Sequence, residues 1–87
     1  MTSKEVISLI KNKELSDVLT DIVDDHYGDV HLEYDGRGDG CISDINVFSH
    51  SFTKGHLDVL FRHTYEGAEV KYSKHRNQVR FHIEVSL

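Results

Sequence analysis

Val6, Ile7, Leu9 and Ile10 form one apolar stripe near the amino end, and Leu15, Val18, Leu19, Ile22 and Val23 form a second at helical spacing. At about 100° per residue the two stripes would face nearly opposite sides of one continuous helix. A break near Asn12-Lys13 removes the conflict. The pattern therefore predicts a short first helix and a longer second one ending near His26-Tyr27, with Gly28 as its C-cap. Thr2-Ser3-Lys4-Glu5 has the spacing of a capping box for the first helix.

Beyond Gly28 the period changes from helical to alternating. Val30, Leu32 and Tyr34 alternate with His31 and Glu33, as in a half-buried strand. Asp35-Gly36-Arg37-Gly38-Asp39-Gly40 places three glycines in six residues, a strong turn signal. Ile42, Ile45 and Val47 continue as a second strand. Ile42 and Ile45 are three apart, so a bulge between them is expected to restore the register. Residues 49–53 read as a connection, and Leu57, Leu60, Phe61 and Thr64 return to helical spacing with Gly67 as the stop. Gly55 weakens the first turn of that helix. Ala68, Val70 and Tyr72, then Val79, Phe81, Ile83 and Val85, alternate on either side of a polar turn at 73–77. The expected fold is α+β, with element order ααββαββ. It is a four-stranded antiparallel sheet with the helices packed on one face.

Composition narrows the class. The 87 residues fit a single domain over 1–87, and 38% hydrophobic residues suffice for one core. No apolar run approaches the length of a membrane span, and no secretory signal is evident at the amino end. Cys41 is the only cysteine and proline is absent. A lone thiol in so small a domain points to a reducing, cytoplasmic compartment. Without proline, every chain reversal must rest on Gly, Asn, Asp or Ser.

Charge is unevenly placed. Residues 1–48 hold four Lys and Arg against eleven Asp and Glu, a balance of −7; residues 49–87 hold six against four, a balance of +2. Net acidity argues against direct binding of nucleic acid, whose affinity comes from cations at phosphates. It suits a protein partner with a basic surface. Lys71, Lys74, His75, Arg76, Arg80 and His82 make the last hairpin basic, yet alternation turns Tyr72 and Phe81 to the other face. The basic side then lacks stacking platforms for bases. It could instead meet the acidic half of a second copy, giving a homodimer.

Candidate chemistry is sparse. Residues 35–40 resemble a calcium loop in Asp35, Asp39 and Gly40, but Arg37 occupies a ligand position and Asn46 stands where the closing Glu belongs. As a phosphate cradle the same loop fails, because its aspartates repel anions and no Lys-Ser/Thr follows. Arg37-Gly38-Asp39 would need extracellular display to act in adhesion. Seven histidines invite a metal, but His50, His56 and His63 lie six and seven apart, not the four that aligns ligands on one helix face. Asp39 and Asp44 near Cys41 oppose thiolate formation. No cofactor, metal or catalytic set is expected.

Tyr34-Asp35-Gly36-Arg37-Gly38-Asp39, with Ile42 and Ile45 after it, resembles a small bacterial family of unknown function found on plasmids and other mobile elements. Glu66-Gly67-Ala68-Glu69 before the last two strands is also similar, although the tryptophan expected before that block is missing. The resemblance implies no activity. More generally the chain is similar to small acidic inhibitors encoded by phages and plasmids, such as anti-CRISPR or nuclease-immunity proteins. The expected function is non-catalytic inhibition of a basic nucleic-acid-handling protein. Glu33, Asp35, Asp39 and Asp44 would make contact, with Arg37 in the same loop and Asp21, Asp24 and Asp25 beside them. The alternative is a nucleic-acid-binding or regulatory module using the basic last hairpin.

Overall fold

The structure, a computed structural model, describes residues 2–33, 42–63, 69–73 and 78–86. Helix α1 (Ser3–Ser8) starts at Thr2, whose hydroxyl accepts the Glu5 amide at 3.2 Å while the Glu5 carboxylate accepts the Thr2 amide at 3.1 Å. Both amides would otherwise lack an intrahelical partner. Asn12 then caps α2 (Lys13–Asp25), its side-chain oxygen accepting the Leu15 amide at 3.0 Å. The chain breaks where the two apolar stripes require it. Val6, Ile7 and Ile10 enter the same buried cluster as Leu15, Leu19 and Ile22. Burying Leu19 and Ile22 fully contributes roughly 1.5–3 kcal/mol each.

The end of α2 corrects the expectation that Gly28 is its C-cap. His26 is the C-cap, and Tyr27 takes the left-handed conformation, at φ 51°. Gly28 meets a different demand, close approach. A Cβ there would collide with Ile22 Cγ2 and lie 2.8 Å from Ile22 O, which the Gly28 amide reaches at 3.0 Å. A left-handed residue other than glycine costs roughly 1–2 kcal/mol. The corner is held by the Ser49 hydroxyl, which donates to His26 O at 2.9 Å, and by Gln78 Nε2, which donates to Tyr27 O at 3.1 Å.

Strands β1 (Asp29–Glu33), β2 (Ile42–Ser49), β3 (Glu69–Ser73) and β4 (Gln78–Ser86) pair in the order β1-β2-β4-β3, with every neighbour antiparallel. Helix α3 (Lys54–Arg62) lies between β2 and β3 in sequence. The class is α+β. Val30, Ile45, Val47, Phe81 and Ile83 line the sheet face that shares the core with all three helices. The Ser3 hydroxyl accepts the Val30 amide at 2.9 Å and ties α1 to β1. Among the described residues no helix is long and apolar enough to cross a membrane.

The expected bulge is absent. Pairing of β2 with β4 runs unbroken from Ile42↔Ser86 to Ser49↔Val79. Positions 42 and 45, an odd number apart, therefore belong to opposite faces. The far face carries Asp44, Asn46 and Phe48 on β2, in register with Glu84, His82 and Arg80 on β4. Residues 35–40, Cys41 and 64–67 lie outside the described residues, as do the turn positions Lys74, His75 and Arg76.

Candidate functional site between helices α2 and α3

Thr53 caps α3, its hydroxyl accepting the His56 amide at 3.1 Å. His56 completes a capping box from the third position, where Glu or Gln is usual: its Nδ1 accepts the Thr53 amide at 3.2 Å. That bond decides the tautomer. An Nδ1 that accepts carries no proton, so neutral His56 bears it on Nε2. Nε2–H then donates to Asp21 Oδ2 at 2.5 Å, joining α3 to α2. The ring is buried, with 7% of the side chain exposed, whereas Asp21 is 47% exposed.

His26 completes the cluster from the C-cap of α2. Its Nδ1 lies 3.2 Å from the Ser51 hydroxyl and its Nε2 lies 3.6 Å from Asp21 Oδ2. The rings of His26 and His56 meet edge to face with centroids 4.7 Å apart. Fully buried Ser49 steadies this side, since its oxygen accepts the Ser51 amide at 3.1 Å while its hydroxyl holds His26 O. The hydrogen bond from His56, opposed by some burial, holds the Asp21 carboxyl below the ordinary carboxylate range.

Hydroxyl, imidazole and carboxylate thus follow one another from Ser51 through His26 to Asp21. General-base chemistry needs the carboxylate to orient the ring through a hydrogen bond. At 3.6 Å that bond is not made, and Asp21 Oδ2 is already engaged by His56. The arrangement does not make Ser51 a nucleophile. As a ligand set it is better matched: Asp21, His26 and His56 present ligand atoms within 4.8 Å of one another. Coordination through His56 Nε2 would move its proton to Nδ1 and break the bond from Thr53. The cost is the capping bond, about 1 kcal/mol, and a buried Nδ1–H set against the Thr53 amide, about 1–3 kcal/mol more.

A second histidine–carboxylate pair lies along the same two helices. His63 Nε2 stands 2.9 Å from Glu14 Oε2, and Arg62 donates to Glu14 Oε1. The His63 bond, with Arg62 beside it, holds the Glu14 carboxyl below its ordinary range.

The residues expected to form one acidic contact surface are divided. Asp21, Asp24 and Asp25 are exposed on α2, where Asp24 pairs with Lys4 at 3.2 Å and Asp21 with the two imidazoles. Asp44 is on the far face of the sheet and only 9% exposed, so it corrects the expectation of an exposed contact residue. It sits on a central strand between β1 and β4. Among the described residues its buried Oδ1 has no hydrogen-bond partner. Of Glu33 only the backbone position, opposite Asp44, is described. Asp35, Arg37 and Asp39 lie outside the described residues.

Sequence spacing missed the imidazole cluster because His26 and His56 are thirty residues apart. One signal was available: Thr53-Lys54-Gly55-His56 has the spacing of a capping box, with histidine in the acid's place. No family model matches the chain, and no curated protein or solved structure shows significant similarity to it.

Proposed function

We propose that this protein is a non-catalytic binding domain of the inhibitor or immunity type, which docks a basic, nucleic-acid-handling protein through the outer face of α2. The observation that carries the reading is the two-sidedness of that helix. Leu15, Leu19 and Ile22 are buried on one side, while Glu14, Asp17, Asp21, Asp24 and Asp25 are exposed. Against those five acids the helix carries one cation, Lys13, a balance of −4. Carboxylates spaced along a rigid rod create a local negative field that attracts Lys and Arg on a partner and speeds encounter. Internal pairing with Lys4, Lys13 and Arg62 leaves the balance of the face negative, and exposed pairs of this kind are exchanged at low cost.

The test is affinity capture in cytoplasmic extract of the native host, with wild type beside the triple variant Asp17→Lys, Asp24→Lys, Asp25→Lys. A basic protein held by wild type and lost from the variant, with association that slows as salt rises, supports the reading. Equal retention by the variant removes this face from consideration. A low-salt anisotropy titration with nucleic acid distinguishes the alternative, since tight binding that collapses steeply with salt would belong to a nucleic-acid module.

A further inference from the structure

We infer that Asp21, His26 and His56 form a binding site for a divalent ion of the zinc class. The ligand set is two imidazoles and one carboxylate, contributed by the last turns of α2, its C-cap and the first turn of α3. Imidazole nitrogen selects zinc, cobalt or nickel over calcium and magnesium, which prefer all-oxygen shells. Three protein ligands leave a fourth tetrahedral position for water.

The distances suit such an ion. Bonds of about 2.0–2.1 Å in a tetrahedron place ligand atoms roughly 3.3 Å apart. Asp21 Oδ2 lies 2.5 Å from His56 Nε2 and 3.6 Å from His26 Nε2, and all three ligand atoms lie within 4.8 Å of one another, so the carboxylate must withdraw from His56. Asp21 is about half exposed and has room to turn. The rings are more firmly placed. His56 is buried within its capping box, and the His26 backbone is held by fully buried Ser49. Around the ligands the hydrogen bonding is half prepared. The Ser51 hydroxyl can accept a hydrogen bond from His26 Nδ1–H, which leaves Nε2 free to coordinate. His56 must change: the ion takes the place of the proton that now bridges Nε2 and Asp21, and Nδ1 becomes the protonated nitrogen.

The site does not depend on the docking reading, and its test separates the two because His26→Ala removes no carboxylate from α2. Zn2+ alone is titrated into the full chain near neutral pH by calorimetry, while long-range 1H–15N spectra report the histidine tautomers. One ion per chain is expected, with His56 passing from the Nε2–H to the Nδ1–H form. His26→Ala should weaken binding more than about hundredfold and Ser51→Ala about tenfold. His63→Ala should leave it unchanged, and Ca2+ should not compete. Co2+ in wild type should give the intense visible bands of a tetrahedral site, a readout independent of whether any variant folds. Unchanged affinity in a folded His26→Ala variant overturns the site. So do a His56 that stays Nε2–H at saturating Zn2+, a weak octahedral cobalt spectrum, or no binding.

Discussion

Asp21 and Asp44 stand on opposite sides of the sheet and are treated in opposite ways. Asp21 is about half exposed and could be satisfied by water, yet it receives His56 at 2.5 Å with His26 close behind. Asp44 is withdrawn from water, yet its Oδ1 has no partner among the described residues. A buried oxygen needs a donor for each lone pair it turns inward, and lacking one costs about 1–3 kcal/mol. The neighbours explain the difference. Asp21 faces a helix start that presents an imidazole, whereas Asp44 sits on a central strand whose backbone donors are taken up by pairing on both sides. Polar satisfaction in this protein follows from which elements meet, more than from depth.

The contrast predicts mutational effects of opposite sign. His56→Ala should cost the most, about 2–4 kcal/mol, because it removes a buried ring, the partner of Asp21 and half of the α3 capping box. Urea unfolding measures it, and a loss below about 1 kcal/mol would show that the junction is not a structural joint. Asp44→Asn should do the reverse and stabilise the fold by about 1 kcal/mol, since it keeps the side chain's size and introduces a donor at the buried, unpartnered position. Destabilisation would mean that the carboxyl has a partner in solution. Tyr27→Gly should stabilise the corner bearing His26 by about 0.5–1 kcal/mol, because glycine accepts a φ of 51° without strain. Tyr27 is 83% exposed, so little packing is lost.

The smallest effect is a pH dependence confined to the α2–α3 side. Asp21 and Glu14 have folded pKa values below their ordinary 3.8 and 4.5. Depressed carboxyls contribute stability that is full above the ordinary values and disappears as pH falls through the folded ones. Thermal midpoints should therefore drop as the solution is acidified below about pH 4.5. The double variant Asp21→Asn, Glu14→Gln should flatten that limb, and an unchanged slope would assign it to other carboxylates.

What could be read along the chain was whatever neighbours in sequence decide. The Thr2–Glu5 box, the break at Asn12 and the alternation of Phe81 with His82 and Ile83 each depend on residues a few positions apart, and the structure carries all three. Gly28 was legible as a helix boundary but not as a contact. Its lack of a Cβ is required by Ile22, and only the folded corner brings those backbones together. The Ile42–Ile45 spacing suggests a bulge only if both belong to one face; the unbroken register puts the two positions on opposite faces, with Ile45 in the core.

The sequence by itself determined the α+β class, the two-sidedness of α2 and its excess of acid, because periodicity and local capping act over four or five residues. Tertiary structure alone decided that Asp21 would meet two imidazoles and that Asp44 would be buried on a strand in register with positions 33 and 84. Those pairings bring together positions up to forty residues apart, and spacing along the chain holds no trace of them. Side-chain electrostatics depends on separation in space, which is set only when the helices and the sheet close on their common core.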